Sequence, residues 1–412
     1  MTDLHVPSRR ELLLASGVLF AWAYLPKAAL AEGRDPRLLV IVLRGALDGL
    51  ATVAPVGDPN WTKLRGDAGL SLQGAMPALP LNADFALHPA MPHLHRLYKA
   101  GQATILHAVA TPYRARSHFD GQDVLESGMP SAGFAESGWL NRAMATLAPA
   151  DRVKGQSAIA IGSIVPLVVR GPAQVMSWSP PSLPTTSNDT LMRLLDLYRH
   201  TDPALAAALE ERIGLDAIAG AEPMQASKSN DASLDKRTKR VLTYFAGQTS
   251  VAAKFMARPD GPRVGAISFE GWDTHANEGQ IDGRLANLLG GLDGALNAAE
   301  KGMGPAWRET VVAVVTEFGR TARINGSKGT DHGTATVAFL AGGALKGGRV
   351  ITDWPGVADN QLFEGRDLKP TTDLRAVLKG ILRDHLRVPE SKLATTAFPQ
   401  SGDVRPMSGL LA

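Results

Sequence analysis

The sequence predicts a three-layer αβα sandwich on a mostly parallel sheet with a partly helical insertion, and three observations carry that expectation. Short, almost wholly apolar runs recur at Leu38–Leu43, Ala103–Ala110, Val264–Phe269, Thr310–Val315 and Thr336–Leu340, and runs of this length without polar alternation read as strands buried on both faces. Helix-like stretches separate them, as in successive βαβ units. Each run ends at, or begins just after, residues able to do chemistry, and ligands of open α/β sheets sit at the carboxyl ends of strands.

The first thirty residues belong to targeting rather than to the fold. Ser8-Arg9-Arg10-Glu11-Leu12-Leu13 is a twin-arginine signal, followed by an apolar stretch through Leu14, Val18, Leu19 and Phe20 and a small-residue site Ala29-Leu30-Ala31. The apolar core falls short of the roughly 20 residues needed to span a bilayer. The expected organisation is a signal peptide over 1–31 and one α/β domain over 32–412, with 130–257 as an insertion or lid. The expected location is the periplasm or outside the cell, with the twin-arginine export machinery as a partner and no membrane attachment after cleavage.

Taken in order, the first strand leads into Leu43-Arg44-Gly45-Ala46-Leu47-Asp48-Gly49-Leu50, where Asp48 is either a turn residue or a ligand at the strand end. The second leads through Arg114 and Arg116 to Ser117-His118-Phe119-Asp120, which reads as a helix cap and also places a hydroxyl where helix N–H groups attract anions. Residues 130–190 are rich in Gly, Pro and Ser, including Ser177-Trp178-Ser179-Pro180-Pro181-Ser182, with a short strand expected at Ile164–Val169. Helices are expected from Asn188-Asp189 to near Arg258-Pro259. After the Val264 run comes Asp273-Thr274-His275; in extended backbone residues two apart share a side, so Asp273 and His275 can chelate one ion. Thr316-Glu317-Phe318-Gly319-Arg320 ends the most apolar run, and Asp331 and His332 lie between Gly329 and Gly333, which leave the backbone free to approach a ligand. Thr371-Thr372-Asp373 begins a packing helix through Leu374, Val377, Leu378, Ile381 and Leu382.

Composition narrows the chemistry. The chain has no cysteine, which excludes thiolate nucleophiles, cysteine-ligated zinc and iron–sulfur clusters and leaves His and carboxylate as ligands. That donor set suits a divalent metal such as zinc, manganese, magnesium or calcium. The net charge is +3, and the basic run Lys228–Arg240 is interrupted by Asp231 and Asp235, so it reads as a solvated helix face and not as a nucleic-acid patch.

The motifs from Leu43 to Leu50, Arg116 to Asp120, Gly138-Trp139-Leu140-Asn141-Arg142, Gly271 to His275, Thr316 to Arg320 and Gly329 to Gly333 resemble a family of twin-arginine-exported bacterial proteins of the domain-of-unknown-function 1501 type. The order Asp, Ser, Asp-x-His, Glu, Asp-His-Gly looks like the alkaline phosphatase and sulfatase superfamily, which implies an alkaline-phosphatase-like domain. The resemblance implies Asp48 as a ligand of one metal, Ser117 as nucleophile, and Asp273, His275 and His332 as ligands of a second. Glu317 stands where that pattern has an aspartate followed by histidine, and here Phe318 follows it. The expected function is a metal-dependent hydrolase or transferase acting on an anionic phosphate or sulfate ester. Its catalytic residues would be Ser117, Arg116 and Arg320, and its metal ligands Asp48, Asp273, His275, Glu317, Asp331 and His332. The alternatives are a catalytically silent metal-binding or assembly protein on the same fold, and a metal-dependent enzyme of another reaction class.

Overall fold

The computed structural model describes residues 34–133, 135–147, 158–162, 164–179, 188–219 and 236–412. The twin-arginine segment, the Ala29-Leu30-Ala31 site, Pro180 to Ser182 and Lys228 to Asp235 lie outside the described residues. The strands of the main sheet are β1 (Arg37–Arg44), β2 (Ala103–Ala110), β3 (Ala158–Ile161), β4 (Val175–Trp178), β5 (Val264–Glu270), β6 (Thr310–Thr316), β7 (Thr336–Ala341), β8 (Arg349–Ile351) and β9 (Thr372–Asp373). The longer helices are α1 (Pro92–Lys99), α2 (His118–Ser127), α3 (Trp139–Ala145), α4 (Asn188–Thr201), α5 (Pro203–Ala219), α6 (Lys236–Ala257), α7 (Arg284–Met303) and α8 (Leu374–Asp384).

The layering follows from the period of β1. Leu39, Ile41 and Leu43 point to one face and meet Leu94 and Leu97 of α1, Phe255 of α6, and Leu289, Leu292 and Leu296 of α7. Leu38, Val40 and Val42 point to the other and meet Trp139 and Leu140 of α3 with Val377, Leu378 and Ile381 of α8. Because both faces are covered, every position from Leu38 to Leu43 is apolar, and each such side chain contributes about 1.5–3 kcal/mol by leaving water. The nine-stranded sheet runs β8-β2-β7-β6-β1-β5-β3-β4, with β9 against β2. Every pairing is parallel except those of β7 with β2 and β6. The parallel strands β1, β5 and β6 therefore end together, and their exit loops form one edge.

Within 130–257 several of the described segments join the central sheet and its core. Ala158–Ile161 and Val175–Trp178 extend the central sheet beside β5, and α6 buries Phe255 and Met256 in the core. These segments are thus part of the sandwich. The expected strand at Ile164–Val169 is instead a 3₁₀ turn at Leu167–Val169, entered through Pro166, whose ring removes a ladder donor. The helices expected after Asn188 and after Asp373 are present, and the Asp373 side chain caps α8 by accepting from the Arg375 N–H. Among the described residues no helix is long and apolar enough to cross a membrane.

Candidate metal centre

Three imidazoles reach one carboxylate oxygen from three different loops. Asp273 and His275 follow β5, His118 opens α2, and His332 lies in the loop before β7, where its backbone bridges Arg320. Around Asp273 Oδ1 lie His275 Nε2 at 3.0 Å, His332 Nε2 at 3.3 Å and His118 Nε2 at 3.5 Å. Arg320, whose side chain is fully buried, donates to the same oxygen at 2.7 Å. Ligand atoms of His118, Asp273 and His332 all lie within 4.8 Å of one another.

The outer nitrogens of the rings fix their inner ones. His118 Nδ1 lies 2.9 Å from Glu317 Oε1, His275 Nδ1 lies 3.0 Å from Asp331 Oδ1, and His332 Nδ1 lies 2.9 Å from the Arg116 carbonyl. Each partner can accept an Nδ1–H, and in that tautomer each ring turns an Nε2 lone pair inward. Two of those atoms, on His275 and His332, are 2.9 Å apart. Two lone pairs at that distance repel unless a cation or a proton lies between them. The His118 Nε2 is also buried without a hydrogen-bond partner. Imidazoles oriented by carboxylates and a carbonyl through their far nitrogens are how proteins present histidine to a metal, so this donor set fits a divalent ion.

Charge follows the same geometry. Hydrogen bonding to Glu317 raises the His118 imidazole against its burial. Burial would raise the Asp273 carboxyl, but the Arg320 guanidinium outweighs it and holds Asp273 below the usual carboxylate range. Burial lowers His332, aided by the charge of His118. Glu317 is fully buried and is kept low, against that burial, by donors from His118, the Gly45 N–H and Gln122.

A family model described as a protein of unknown function, DUF1501, matches residues 35–395. The chain belongs to the DUF1501 family. No curated protein matches this DUF1501 chain. Solved structures similar to it include the C-terminal periplasmic domain of EcEptC from Escherichia coli in complex with Zn, at 12% identity and a TM-score of 0.36 over 75% of this chain and 73% of that one. The PsFucS1 sulfatase from Pseudoalteromonas sp. matches at 13% identity and a TM-score of 0.34, over 84% and 68% of the two chains. The phosphonate monoester hydrolase of Agrobacterium radiobacter matches at 11% identity and a TM-score of 0.34, over 86% and 74%.

Of the residues singled out from the sequence, this DUF1501 protein brings Asp273, His275, His332 and Arg320 together. Asp48, expected as a ligand, is committed elsewhere: both its oxygens face the Arg65 guanidinium, and one also caps the turn at Ala51. Glu317 and Asp331 are not at the meeting point either, because each spends an oxygen on the far nitrogen of an imidazole and so orients that ring. The Arg116 guanidinium, expected to face substrate, is bound by Asp367 and Glu364. Its backbone is what reaches the site, with a left-handed φ of 63° that is strained for a side chain of this size. Ser117 precedes α2, yet its side chain makes no capping hydrogen bond. Gly329 and Gly333 admit backbone and not ligand, since a Cβ there would lie 2.4 Å from the His275 and Arg320 carbonyl oxygens.

Sequence reading passed over His118, which stood only as the neighbour of Ser117 in a capping pattern. It also missed Phe318, whose ring stacks on His118 with centroids 5.1 Å apart and lies 5.4 Å from His332. The residue that breaks the superfamily's Asp-His pair is thus the apolar floor beneath two imidazoles.

Proposed function

We propose that this protein is an exported, metal-dependent hydrolase or transferase acting on an anionic phosphate or sulfate ester. The observation that carries the metal is the 2.9 Å approach of the His275 and His332 Nε2 atoms with both Nδ1 atoms engaged outward, by Asp331 and the Arg116 carbonyl. His118, His275, His332 and Asp273 would hold the ion, and a set rich in imidazole favours zinc over magnesium or calcium. A divalent ion there supplies Lewis-acid polarisation of an ester oxygen. Ser117, uncommitted as a cap and held between the strained Arg116 and the ligand His118, offers its hydroxyl as nucleophile. The N-terminus of α2, which begins at His118, favours negative charge beside Ser117. Buried Arg320 keeps Asp273 ionised and fixed.

A metal-binding protein without turnover is the second reading, favoured by the Arg116 guanidinium being tied to Asp367 and Glu364 and so withheld from substrate. One experiment separates the two. Wild type purified without chelator should carry a divalent ion that His332→Ala loses while remaining folded, and equal metal content in both would sink the metal centre. Metal-loaded wild type and Ser117→Gly are then compared on aryl phosphate and aryl sulfate esters. Turnover only in wild type supports the enzyme, near-equal turnover removes Ser117 from the chemistry, and no turnover by wild type leaves the second reading.

Export rests on Arg9-Arg10 and Ala29-Leu30-Ala31. Lysine at both arginine positions should retain the precursor in the cytoplasm, and undiminished mature protein outside it would refute the proposal.

A further inference from the structure

The superfamily pattern would place an ion at Asp48, and the residues around that carboxylate do not fit one. Asp48 is 1% exposed. Arg65 Nη1 lies 3.0 Å from Oδ2 and Nη2 lies 3.2 Å from Oδ1, a two-pronged fork that occupies both oxygens. The fork is held in turn, because Nη1 also donates to Gln280 Oε1 at 2.7 Å and Nη2 to the Thr321 carbonyl. Gln280 Nε2 donates at 2.6 Å to Glu278, which is fully buried and accepts from the Thr274 and Thr330 hydroxyls. Thr330 Oγ1 accepts from Arg320, and Arg320 donates to Asp273. A continuous chain of hydrogen bonds, buried as far as Arg320, therefore runs from Asp48 to Asp273 in the imidazole cluster, with three carboxylates and two guanidiniums along it.

We infer that the Arg65 guanidinium is a permanent cation in the place of the ion the pattern assigns to Asp48, so that the chain takes one divalent ion, at the imidazole cluster. A guanidinium keeps its proton at any working pH. For a metal to reach Asp48 it would have to eject a fully buried Arg65 and leave that charge unpaired, which buried pairs resist strongly. The count of one rests on the metal reading of the cluster; the exclusion at Asp48 does not.

The test is equilibrium dialysis of the purified full chain against Mn²⁺, followed by metal analysis and melting with and without the ion. Wild type should hold one ion and His332→Ala none. The double variant H332A/R65G should regain one, at the vacated Asp48 and Glu278 carboxylates, and its melting temperature should rise with Mn²⁺ where that of H332A does not. Two ions in wild type overturn the inference outright, a measurement that stands even where the double variant does not fold. A folded double variant that takes up no ion overturns it equally. No ion in wild type combined with an ion in R65G would sink the proposed function and leave the assignment of Arg65 standing.

Discussion

Glu317 acts on the cluster only through His118. Its Oε1 accepts from His118 Nδ1, the Gly45 N–H and Gln122, and its Oε2 accepts from the Thr316 hydroxyl, so removing its charge leaves a partner of the same shape but weakens its grip on the ring. Glu317→Gln should lower divalent-metal affinity about 10- to 100-fold with the fold retained. A competition titration against a chromogenic chelator measures this, and unchanged affinity would deny Glu317 a positioning role. Residues of this kind are hard to read from sequence. Asp273 and His275 were legible because two residues of one extended segment must share a side. His118, Glu317 and Asp331 acquire their places from partners on other loops, and nothing in the order of residues says which carboxylate stands at the centre of the cluster and which faces the far side of a ring. Arg65 was invisible for the same reason, since only folding brings it to Asp48.

At the level of elements, the site depends on how tightly the exit loops of β1, β5 and β6 pack. Gly45, just past β1, has φ 119°, and a Cβ there would lie 2.5 Å from the Asp273 nitrogen. Its N–H also donates to Glu317 at 2.8 Å. Gly45→Ala should therefore cost at least about 1–3 kcal/mol from the backbone alone and push the Asp273 loop outward, lowering stability and metal content together. Denaturant unfolding with metal analysis checks both, and a variant matching wild type in each would show that the loops yield without disturbing the site. The strands feeding these loops were legible because burial on both faces leaves uninterrupted apolar runs. β3 and β4 were not. They are four residues each, lie at the sheet's end, and include the exposed Ser177 in a Pro-, Gly- and Ser-rich stretch, while the more apolar Leu167–Val169 nearby packs as a turn against α2.

Across the whole molecule, buried neutral histidines join distant segments and set a response to acid. His88 Nε2 donates to the Gln280 carbonyl, His107 Nε2 to that of Val53 and His385 Nε2 to that of Arg37. Burial lowers all three to about 4. With folded values below the unfolded 6.5, the unfolded chain binds more protons, so stability falls as pH drops from about 6.5 toward 4. Burial acts oppositely on Glu278, raised to about 7 with help from Asp48, and on Asp293, raised to about 6, and these offset part of the loss. One substitution isolates the histidine contribution. His385→Gln keeps a donor for Arg37 and removes the titrating ring, so the loss of stability between pH 7 and 5 should shrink by about 2 kcal/mol. Denaturant melts of both proteins at the two pH values read it directly, and identical pH dependence would mean that His385 is protonated without cost.

The position of β1 has a further consequence, for how the chain comes to be folded. The first strand of the sheet lies between β5 and β6, Leu38 pairing with Val264 and Val311. Its neighbours are thus among the later segments to leave the ribosome. Contacts so distant in sequence make for slow folding, and until synthesis passes Thr316 this apolar strand has at least one open edge. Through most of its synthesis the nascent chain carries an unpaired apolar ribbon that only its own distal half can cover.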